Sequence, residues 1–306
     1  MTSPPEQEFR SGFVAVMGRP NVGKSTLINS LIGQKIAAVS PKPQTTRHQQ
    51  LGILSLDEAQ IVFIDTPGLH NPHHKLGQFM NDEAADAITD ADLILFLVDL
   101  TKMPPHEEDR ILIKLLDELD QRPMVILALN KIDRVEAGDL DQRAAVYEEL
   151  LPDAVPLRIS AIHADKLDDL KQSLISNIPE GPPFFPVDQI TNLYEREIAA
   201  DLIRAVCLVQ LRDEIPHSIA VRMDEYTERG DHGAYIRTTL FVERDSQKGI
   251  VVGQGGKMIK RIGAHARSQI EAMSSRKVYL DLRVKVRKNW RNNEQALKQF
   301  GFKRWN

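Results

Sequence analysis

The chain of 306 residues is longer than one compact domain usually is, which predicts two domains. Its apolar fraction of 42% and charged fraction of 27% are those of a soluble globular protein and exclude wholesale disorder. The single cysteine excludes an internal disulfide framework, and no apolar stretch approaches the ~20 residues of a membrane-spanning helix. We therefore expect a cytoplasmic protein.

The net charge of −4 is unevenly distributed along the chain. Residues 1–180 hold 17 Lys and Arg against 28 Asp and Glu, whereas residues 181–306 hold 22 against 15. The first part therefore carries −11 and the second part +7. Positive charge confined to one part of a chain is typical of a surface that binds a polyanion, although a solvated basic surface gives the same count.

The first half of the sequence alternates short apolar runs with segments of helical periodicity. Continuous apolar runs between amphipathic helices are typical of strands buried on both faces, which predicts a mostly parallel α/β sheet. The predicted strands are FVAVMG, QIVFID, ADLILFLVD, PMVILALNK and VPLRIS, and the predicted helices cover 24–32, 75–89, 107–120, 140–150 and 166–177.

This alternation stops near residue 180. The stretch IPEGPPFFP holds four prolines and one glycine in nine residues, a composition typical of a linker. We therefore expect a first domain over 1–180, a linker over 181–190 and a second domain over 191–306.

The second domain is predicted to be α+β. In KVYLDLRVKVR apolar and polar residues alternate, which indicates a half-buried strand with one mostly basic face. Near the end of the chain we expect Trp290 and Phe300 to be core residues, stacking on RNA bases being the alternative. The other predicted elements are an amphipathic segment over 191–211, the strands HSIAVRMDEY and GAYIRTTLFVER, a glycine-rich turn and a helix over 256–273.

The stretch GRPNVGKSTL follows the first predicted strand and opens the first predicted helix. Its spacing is that of a phosphate-binding loop, in which backbone N–H groups and the helix N-terminus face the phosphates. Lys24 can reach the β- and γ-phosphates, and the Ser25 hydroxyl can coordinate Mg²⁺. We expect this loop to bind a nucleotide through Gly18, Arg19, Pro20, Asn21, Val22, Gly23, Lys24, Ser25 and Thr26.

A second motif, DTPG, ends the strand QIVFID. The carboxylate at its start can hold the Mg²⁺ shell, and the amide of its glycine can bond the γ-phosphate, so that loss of this phosphate releases the loop. The predicted contacts are Asp65, Thr66, Pro67 and Gly68.

The identity of the base is predicted by NKID at the end of PMVILALNK. The two oxygens of Asp133 match the paired N–H donors at N1 and the 2-amino group of guanine, which adenine lacks. The stem of Lys131 can lie over the base, and the Ala161 amide, at the end of the next strand, can donate to guanine O6. The predicted guanine-binding residues are Asn130, Lys131, Asp133, Ser160, Ala161 and Ile162.

The stretches GRPNVGKSTL, PQTTRH and DTPG resemble the Era branch of the Ras-like GTPase superfamily. This resemblance implies a switch segment at 35–48, where Thr46, rather than Thr45, joins Ser25 and Asp65 as a Mg²⁺ ligand.

The residue after DTPG is Leu69, where many Ras-like proteins carry a glutamine that orients the attacking water, so we expect slow intrinsic hydrolysis. In related GTPases the equivalent of Asn21 helps bind a monovalent cation, which implies stimulation by K⁺. Lys24, Asn21 and Thr46 are therefore the predicted catalytic residues.

The second domain resembles a type II KH domain, whose GXXG loop clamps about four single-stranded nucleotides. Here GQGG precedes a basic helix, which favours RNA binding through phosphate contacts. The predicted order of elements is helix, strand, strand, GXXG, helix and strand. The expected RNA-binding residues are Gly253, Gln254, Gly255, Gly256, Lys257, Lys260 and Arg261.

The expected function is that of a GTP-hydrolysing switch whose nucleotide state controls RNA binding. The Era resemblance implies 16S-type ribosomal RNA near its 3′ end as the target and assembly of the small (30S) ribosomal subunit as the process. It also suggests a monomer and peripheral membrane contact, for which the sequence has no clear signal. A P-loop small-molecule kinase is an alternative that leaves NKID and GQGG unexplained. An RNA-binding protein that does not hydrolyse GTP is another, disfavoured by the intact nucleotide motifs.

Overall fold

A computed structural model describes residues 8–34, 36–39, 46–67, 74–228 and 233–302 of the chain. The chain folds into two compact units, each with its own hydrophobic core. The first unit contains the described parts of 1–34, 47–70 and 81–192, and the second those of 35–46, 71–80 and 193–306.

The described residues of the first unit contain a six-stranded sheet. Its strands are β1 (Arg10–Met17), β2 (Gln50–Ser55), β3 (Ala59–Asp65), β4 (Leu93–Asp99), β5 (Met124–Asn130) and β6 (Val155–Ile159). They lie in the order β2-β3-β1-β4-β5-β6, and all neighbours except β2 and β3 are parallel. Every residue of β3 and β4 is buried, as expected for strands covered on both faces. The predicted mostly parallel sheet is confirmed.

The edge strand β2 is missing from the sequence prediction. It pairs antiparallel with β3 and buries only half of its six residues. Its sequence QLGILS has no uninterrupted apolar run, because an edge strand needs less apolar surface than a central one. The signal that finds the central strands is therefore absent here.

Helices of the first unit follow the predicted positions with shifts at their ends. The third predicted helix ends at Asp117 instead of 120, and the fourth begins at Ala137 instead of 140, because polar first and last turns carry no apolar periodicity. Residues 81–89 of α2 belong to this unit, and its first six residues to the other. The helices are α1 (Lys24–Ile32), α2 (Lys75–Thr89), α3 (Glu107–Asp117), α4 (Ala137–Leu150) and α5 (Leu167–Asn177).

The proline-rich stretch after α5 is bound to the first unit. The side chain of Gln60, fully buried in β3, accepts hydrogen bonds from the N–H groups of Phe184 and Phe185 and donates to the Phe185 carbonyl. The Ser11 hydroxyl donates to the Pro182 carbonyl at 2.7 Å. The Ile53 N–H bonds the Ile190 carbonyl at 2.9 Å. This stretch is thus docked along the sheet rather than solvated.

The second unit is built around a three-stranded sheet among its described residues. Its strands are β7 (Ala220–Glu228), β8 (Ala234–Val242) and β9 (Val278–Val286), and its helices are α6 (Glu195–Gln210), α7 (Asp245–Val252), α8 (Lys257–Ser274) and α9 (Glu294–Gln299). β7 is antiparallel to β8, and β8 is parallel to β9. The predicted order of elements is confirmed with two additions: α9, which follows β9, and α7, which lies between β8 and the GQGG loop. The run IVV before this loop is the last turn of that helix.

Aromatic side chains near the end of the chain belong to the core of the second unit. Trp290 is fully buried, and its indole N–H donates to the Ser218 carbonyl at 2.8 Å. Phe300 and Phe302 pack against it, together with Leu76 from the first turn of α2. Trp290 and Phe300 are therefore core residues, as predicted.

Among the described residues, no helix combines the length and apolar character needed to cross a membrane.

Candidate functional site

The loop between β1 and α1 has the backbone form of a phosphate cradle. Gly23 has a φ of 113°, and a Cβ there would lie 2.6 Å from Nδ2 of Asn130. A Cβ at Gly18, where φ is 151°, would lie 2.5 Å from the Leu97 carbonyl oxygen. Only glycine fits both positions, because any side chain would push the loop away from the strands behind it. Pro20, Val22 and Thr26 lie in the same segment.

Lys24 is the first residue of α1 and is 7% exposed. Its Nζ donates to the carbonyl oxygens of Gly18 at 2.7 Å and Arg19 at 3.2 Å. Burial lowers the pKa of Lys24 to about 8, although Asp65 opposes this shift. The ammonium is thus held by neutral carbonyl oxygens within the loop. Phosphate oxygens would supply the negative charge that these carbonyls lack.

The side-chain oxygens of Ser25 and Asp65, the predicted Mg²⁺ ligands, lie close together at the start of α1. The Ser25 hydroxyl donates to Oδ2 of Asp65 at 3.0 Å, and the Gln50 amide donates to the same oxygen at 3.3 Å. The neighbouring Thr66 hydroxyl bonds the Val16 carbonyl at 2.9 Å, which ties the DTPG segment to β1. Hydroxyl and carboxylate oxygens are hard ligands of the kind that Mg²⁺ prefers, so this pair fits the ion.

The other predicted Mg²⁺ and γ-phosphate contacts are Thr46, Pro67 and Gly68. Thr46 is half-buried and belongs to the second unit, so its role as a ligand stays a prediction. Pro67 ends the described part of DTPG, and Gly68, Leu69 and Thr45 lie outside the described residues.

The guanine motif and the phosphate loop are joined directly by hydrogen bonds. Nδ2 of Asn130 donates to the Val22 carbonyl at 2.7 Å, and Nζ of Lys131 donates to the Asn21 carbonyl at 2.8 Å. Lys131 itself has a φ of 70°, the left-handed conformation. These two side chains therefore hold the loop and the base motif in one fixed geometry.

Asp133 is oriented by the next strand. The buried Ser160 hydroxyl donates to Oδ1 of Asp133 at 2.5 Å. The Ala161 N–H, predicted to face guanine O6, instead donates to Oδ1 of Asn130 at 3.0 Å. To contact guanine O6, the Ala161 N–H must therefore either bond O6 and Asn130 together or give up its bond to Asn130. Ile162 is 71% exposed.

A buried network of charged side chains lies behind the phosphate loop and is absent from the sequence prediction. Nε of Arg19 lies 3.4 Å from Oδ2 of Asp109, which also accepts a hydrogen bond from the Tyr147 hydroxyl at 2.7 Å. Asp99, at the end of β4, lies 2.6 Å from Nζ of Lys131 and 3.8 Å from a terminal nitrogen of Arg19. It therefore contacts both the loop and the base motif.

The pKa values of the two carboxylates in this network shift in opposite directions. Burial raises the pKa of Asp109, which is fully buried, despite hydrogen bonds from Tyr147 and Arg19. Burial also acts on Asp99, but hydrogen bonds from Lys131 and Thr101 outweigh it and lower the pKa of Asp99 overall. Asp99 thus stays ionised and balances the charge of Lys131. The position of Asp99 at the end of an apolar strand was a sequence signal that could have identified it as a site residue.

Asn21, the predicted K⁺ ligand, is exposed at the top of the loop with a φ of 66°. Its carbonyl is bound by Lys131, and its side chain makes no hydrogen bond to the described residues. The side chain is therefore available to a ligand.

The GQGG loop links α7 to α8 in the second unit. Gly253, Gly255 and Gly256 have φ values of 71°, 59° and 76°. Cβ atoms at Gly255 and Gly256 would meet nothing within 4 Å, so the open space beside them admits another backbone. Gln254 is exposed, as are Lys257, Lys260 and Arg261 on the helix that follows. The structure therefore brings the predicted RNA-binding residues together at the start of α8.

Each of the two units is similar to a known protein family. A family model described as "50S ribosome-binding GTPase" matches residues 13–131, and one described as "KH domain" matches residues 214–291. A protein named GTPase Era from Geotalea uraniireducens is 46% identical over 297 residues, which cover 97% of this chain and 99% of that protein. GTPase Era from Geobacter metallireducens is 44% identical over 298 residues, with the same coverage.

A solved structure is similar over nearly the whole chain. It is described as Era in complex with MgGDPNP and nucleotides 1506–1542 of 16S ribosomal RNA. Its sequence is 36% identical, the match covers 96% of this chain and 99% of that one, and the TM-score is 0.90. The predicted pairing of a P-loop GTPase domain with a KH domain is thereby confirmed.

Proposed function

Because the chain belongs to the Era family of GTPases, we propose that it is a GTP-driven switch that binds small-subunit ribosomal RNA near its 3′ end. We further propose that it acts in assembly of the small (30S) ribosomal subunit. GTP binding is supported by one observation in particular: the side chains of Asn130 and Lys131, in the guanine motif, donate hydrogen bonds to carbonyls of the phosphate loop. The RNA part is supported by the solved Era complex with a 16S ribosomal RNA fragment.

For the nucleotide, we propose GTP and GDP bound with Mg²⁺, as the relative's MgGDPNP complex suggests. Lys24 binds the β- and γ-phosphates, and Asp133, oriented by Ser160, accepts the guanine N–H donors. Ser25 and Asp65 hold the ion, with Thr46 as the third protein ligand. When bound, Mg²⁺ neutralises the charge of the phosphate oxygens.

We propose that hydrolysis is slow and is stimulated by K⁺. The residue after DTPG is Leu69, which can neither donate nor accept a hydrogen bond to orient water. The exposed side chain of Asn21 belongs to the phosphate loop itself, where a monovalent cation would add positive charge.

The K⁺ proposal is tested by single-turnover hydrolysis in matched KCl and NaCl. Wild type is expected to be faster in KCl by about 10-fold or more, and Asn21→Ala is expected to show equal rates in both salts. Equal wild-type rates would contradict the cation role, and a K⁺ effect that survives in Asn21→Ala would assign it to other ligands.

For the RNA, we propose that the GQGG loop clamps a single strand and that Lys257, Lys260 and Arg261 bind its phosphates. The proposed domain bounds are 1–180 and 191–306 with the linker 181–190, and we propose that the nucleotide state of the first domain controls this grip. We expect the protein to act as a cytoplasmic monomer.

The RNA proposal is tested with an oligonucleotide that carries nucleotides 1506–1542 of 16S ribosomal RNA and with a scrambled control of equal composition. Fluorescence anisotropy is expected to show tighter binding of the first RNA, and a difference between protein loaded with GDPNP and with GDP. Equal affinity for both RNAs would remove the ribosomal target. Equal affinity in both nucleotide states would remove the switch.

A further inference from the structure

An open pocket of about 790 Å³ lies in the second unit, and none of its lining residues belongs to the GQGG loop. It is formed by the second half of α8, the turn that follows, and the first residues of β8 and β9. Its lining combines two tyrosines, Tyr235 and Tyr279, with the cations Arg267, Arg276 and Lys277. This pocket plays no part in the functions proposed above.

Tyr279 presents an aromatic ring in this pocket. It is 69% exposed, although it lies in a strand of the central sheet. Tyr235 is its neighbour in the β8–β9 register, and the two rings stack with centroids 5.6 Å apart and planes 14° apart. The guanidinium of Arg237 lies 5.3 Å from the Tyr235 ring centre, which restrains that ring further. Tyr279 is thus a supported platform on which a planar group can stack.

The basic residues of the pocket divide into fixed and available ones, and its carboxylate, Glu271, accepts a hydrogen bond from the Val278 N–H at 2.9 Å. Arg276 contacts Glu195 at 2.7 Å and Glu228 at 2.9 Å, which anchors the turn after α8. By contrast, Arg267 and Lys277 are exposed and form no ion pair with the described residues. They are therefore available to bind phosphates beside the tyrosine platform.

The pocket also continues the predicted RNA-binding surface. Lys260, near the GQGG loop, and Arg267, in the pocket, are seven residues apart on α8. Seven residues are two helical turns, so both side chains lie on the same face, separated by about 10 Å along the axis. A strand clamped at the loop could therefore follow this face of α8 as far as Arg267, which lines the pocket.

We propose that this pocket is a second subsite for single-stranded RNA, in which a base stacks on Tyr279 and the adjoining phosphates bind Arg267 and Lys277. The chemistry is that of general single-strand recognition, an aromatic platform beside cations. The inference rests on the proposed RNA binding at the GQGG loop, since it extends the same bound strand. It predicts that affinity increases with oligonucleotide length beyond the nucleotides held by the loop.

The test measures the affinity of full-length protein for single-stranded RNA of 4 and 10 nucleotides, with Tyr279→Ala, Tyr279→Phe and Arg267→Glu variants. For the longer RNA, Tyr279→Ala is expected to weaken binding by about 5- to 150-fold, the range for loss of one base stacked on an aromatic ring. Tyr279→Phe keeps the ring and is expected to stay within about twofold of wild type. Arg267→Glu is expected to weaken the longer RNA alone, and neither Ala nor Glu variant should affect the tetranucleotide.

Unchanged affinity of Tyr279→Ala for the longer RNA would overturn the subsite. Equal weakening of both lengths would also overturn it, because it would indicate damage to the fold of the unit. Failure of the loop proposal is distinguishable, since reversal of Lys257 and Lys260 to Glu would then leave both lengths bound as tightly as wild type.

Discussion

Lys24 and Lys257 occupy equivalent local positions in the two units. Each is the first residue of a helix, and each follows a glycine with positive φ, Gly23 or Gly256. Yet Lys24 is buried, with its ammonium bonded to two carbonyls, whereas Lys257 is exposed. A similar glycine–lysine turn therefore makes a rigid, desolvated site in one unit and an open, solvated surface in the other.

This difference indicates how each site selects its ligand. Burial makes the hydrogen bonds and charges of the nucleotide site strong and geometrically strict, so that one base and one phosphate pattern fit. The exposed lysines of the second unit attract any polyanion, and their affinity depends on salt. Specificity there has to come from the loop shape and from stacked bases.

The largest effect is expected from matched replacements of the two lysines. Lys24→Ala should abolish measurable GTP binding, because it removes the cation predicted to reach the β- and γ-phosphates. Lys257→Ala should leave GTP binding at the wild-type level. Isothermal titration of both variants with GTP measures this contrast, and wild-type affinity of Lys24→Ala would remove the phosphate assignment.

Base selection is the next most sensitive property of the buried site. Asp133→Asn replaces one of two paired acceptors by a donor and removes the negative charge, so one hydrogen bond is lost and the other is weakened. This is expected to weaken GTP binding by about 10²- to 10⁴-fold. Xanthosine triphosphate, which has an acceptor oxygen in place of the guanine 2-amino group, should then bind better than GTP. Competition between the two nucleotides measures the preference, and an unchanged preference for guanine would contradict the role of Asp133.

The two units should also differ in how much stability is lost when an ion pair is removed. Asp109→Asn removes the nearer of the two carboxylates that contact the buried Arg19 charge, and loss of one partner of a buried pair typically costs about 3–5 kcal/mol of unfolding free energy. For the first unit this corresponds to a fall of about 6–20 °C in its melting temperature. Asp281→Asn, which breaks partly exposed pairs with Arg237 and Arg283, should cost about 1 kcal/mol or less. Thermal unfolding followed by circular dichroism would contradict this contrast if both variants melted alike.

Charge reversal at the open surface should give a smaller, salt-dependent effect. Lys257→Glu combined with Lys260→Glu is expected to weaken RNA binding by about 10- to 100-fold at low salt and to reduce the salt slope by about 1.5. Hydrolysis of GTP without RNA should be unaffected. Anisotropy titrations at several KCl concentrations test this, and retained affinity at moderate salt would exclude these lysines as phosphate contacts.

The smallest predicted effect concerns pH. Since burial lowers the pKa of Lys24 to about 8 from 10.5, the ammonium that binds phosphate is lost as pH rises through 8. GDP affinity should therefore fall about fourfold between pH 7 and 8.5. The nucleotide-free protein should become more stable over this interval, because the unfolded chain then binds more protons than the folded one. A flat affinity profile would contradict the lowered pKa.

The sequence predicts the central strands and the motifs at their ends because both depend on short-range patterns. Apolar runs locate β3, β4 and β5, and polar residues directly after them locate Asp65 and Asn130. The edge strand β2 and the helix α7 are missed because partial burial weakens their periodicity.

Contacts between distant residues were beyond this kind of prediction. Arg19 meets Asp109 across 90 positions, and Asp109 meets Tyr147 across 38. No local pattern encodes such pairs, since they arise only when the helices pack on the sheet. The same applies to the Ala161 N–H, which the adjacent Asn130 side chain engages in the folded protein.

Trp290 gives the protein a built-in optical reporter. Trp290 is buried in the second unit, and the described residues of the first unit contain no tryptophan. Emission from the Trp290 indole therefore follows the environment of the second unit, while tyrosine absorbance samples both units. Denaturation curves recorded with these two signals can reveal whether the units melt together or in sequence, without any attached dye.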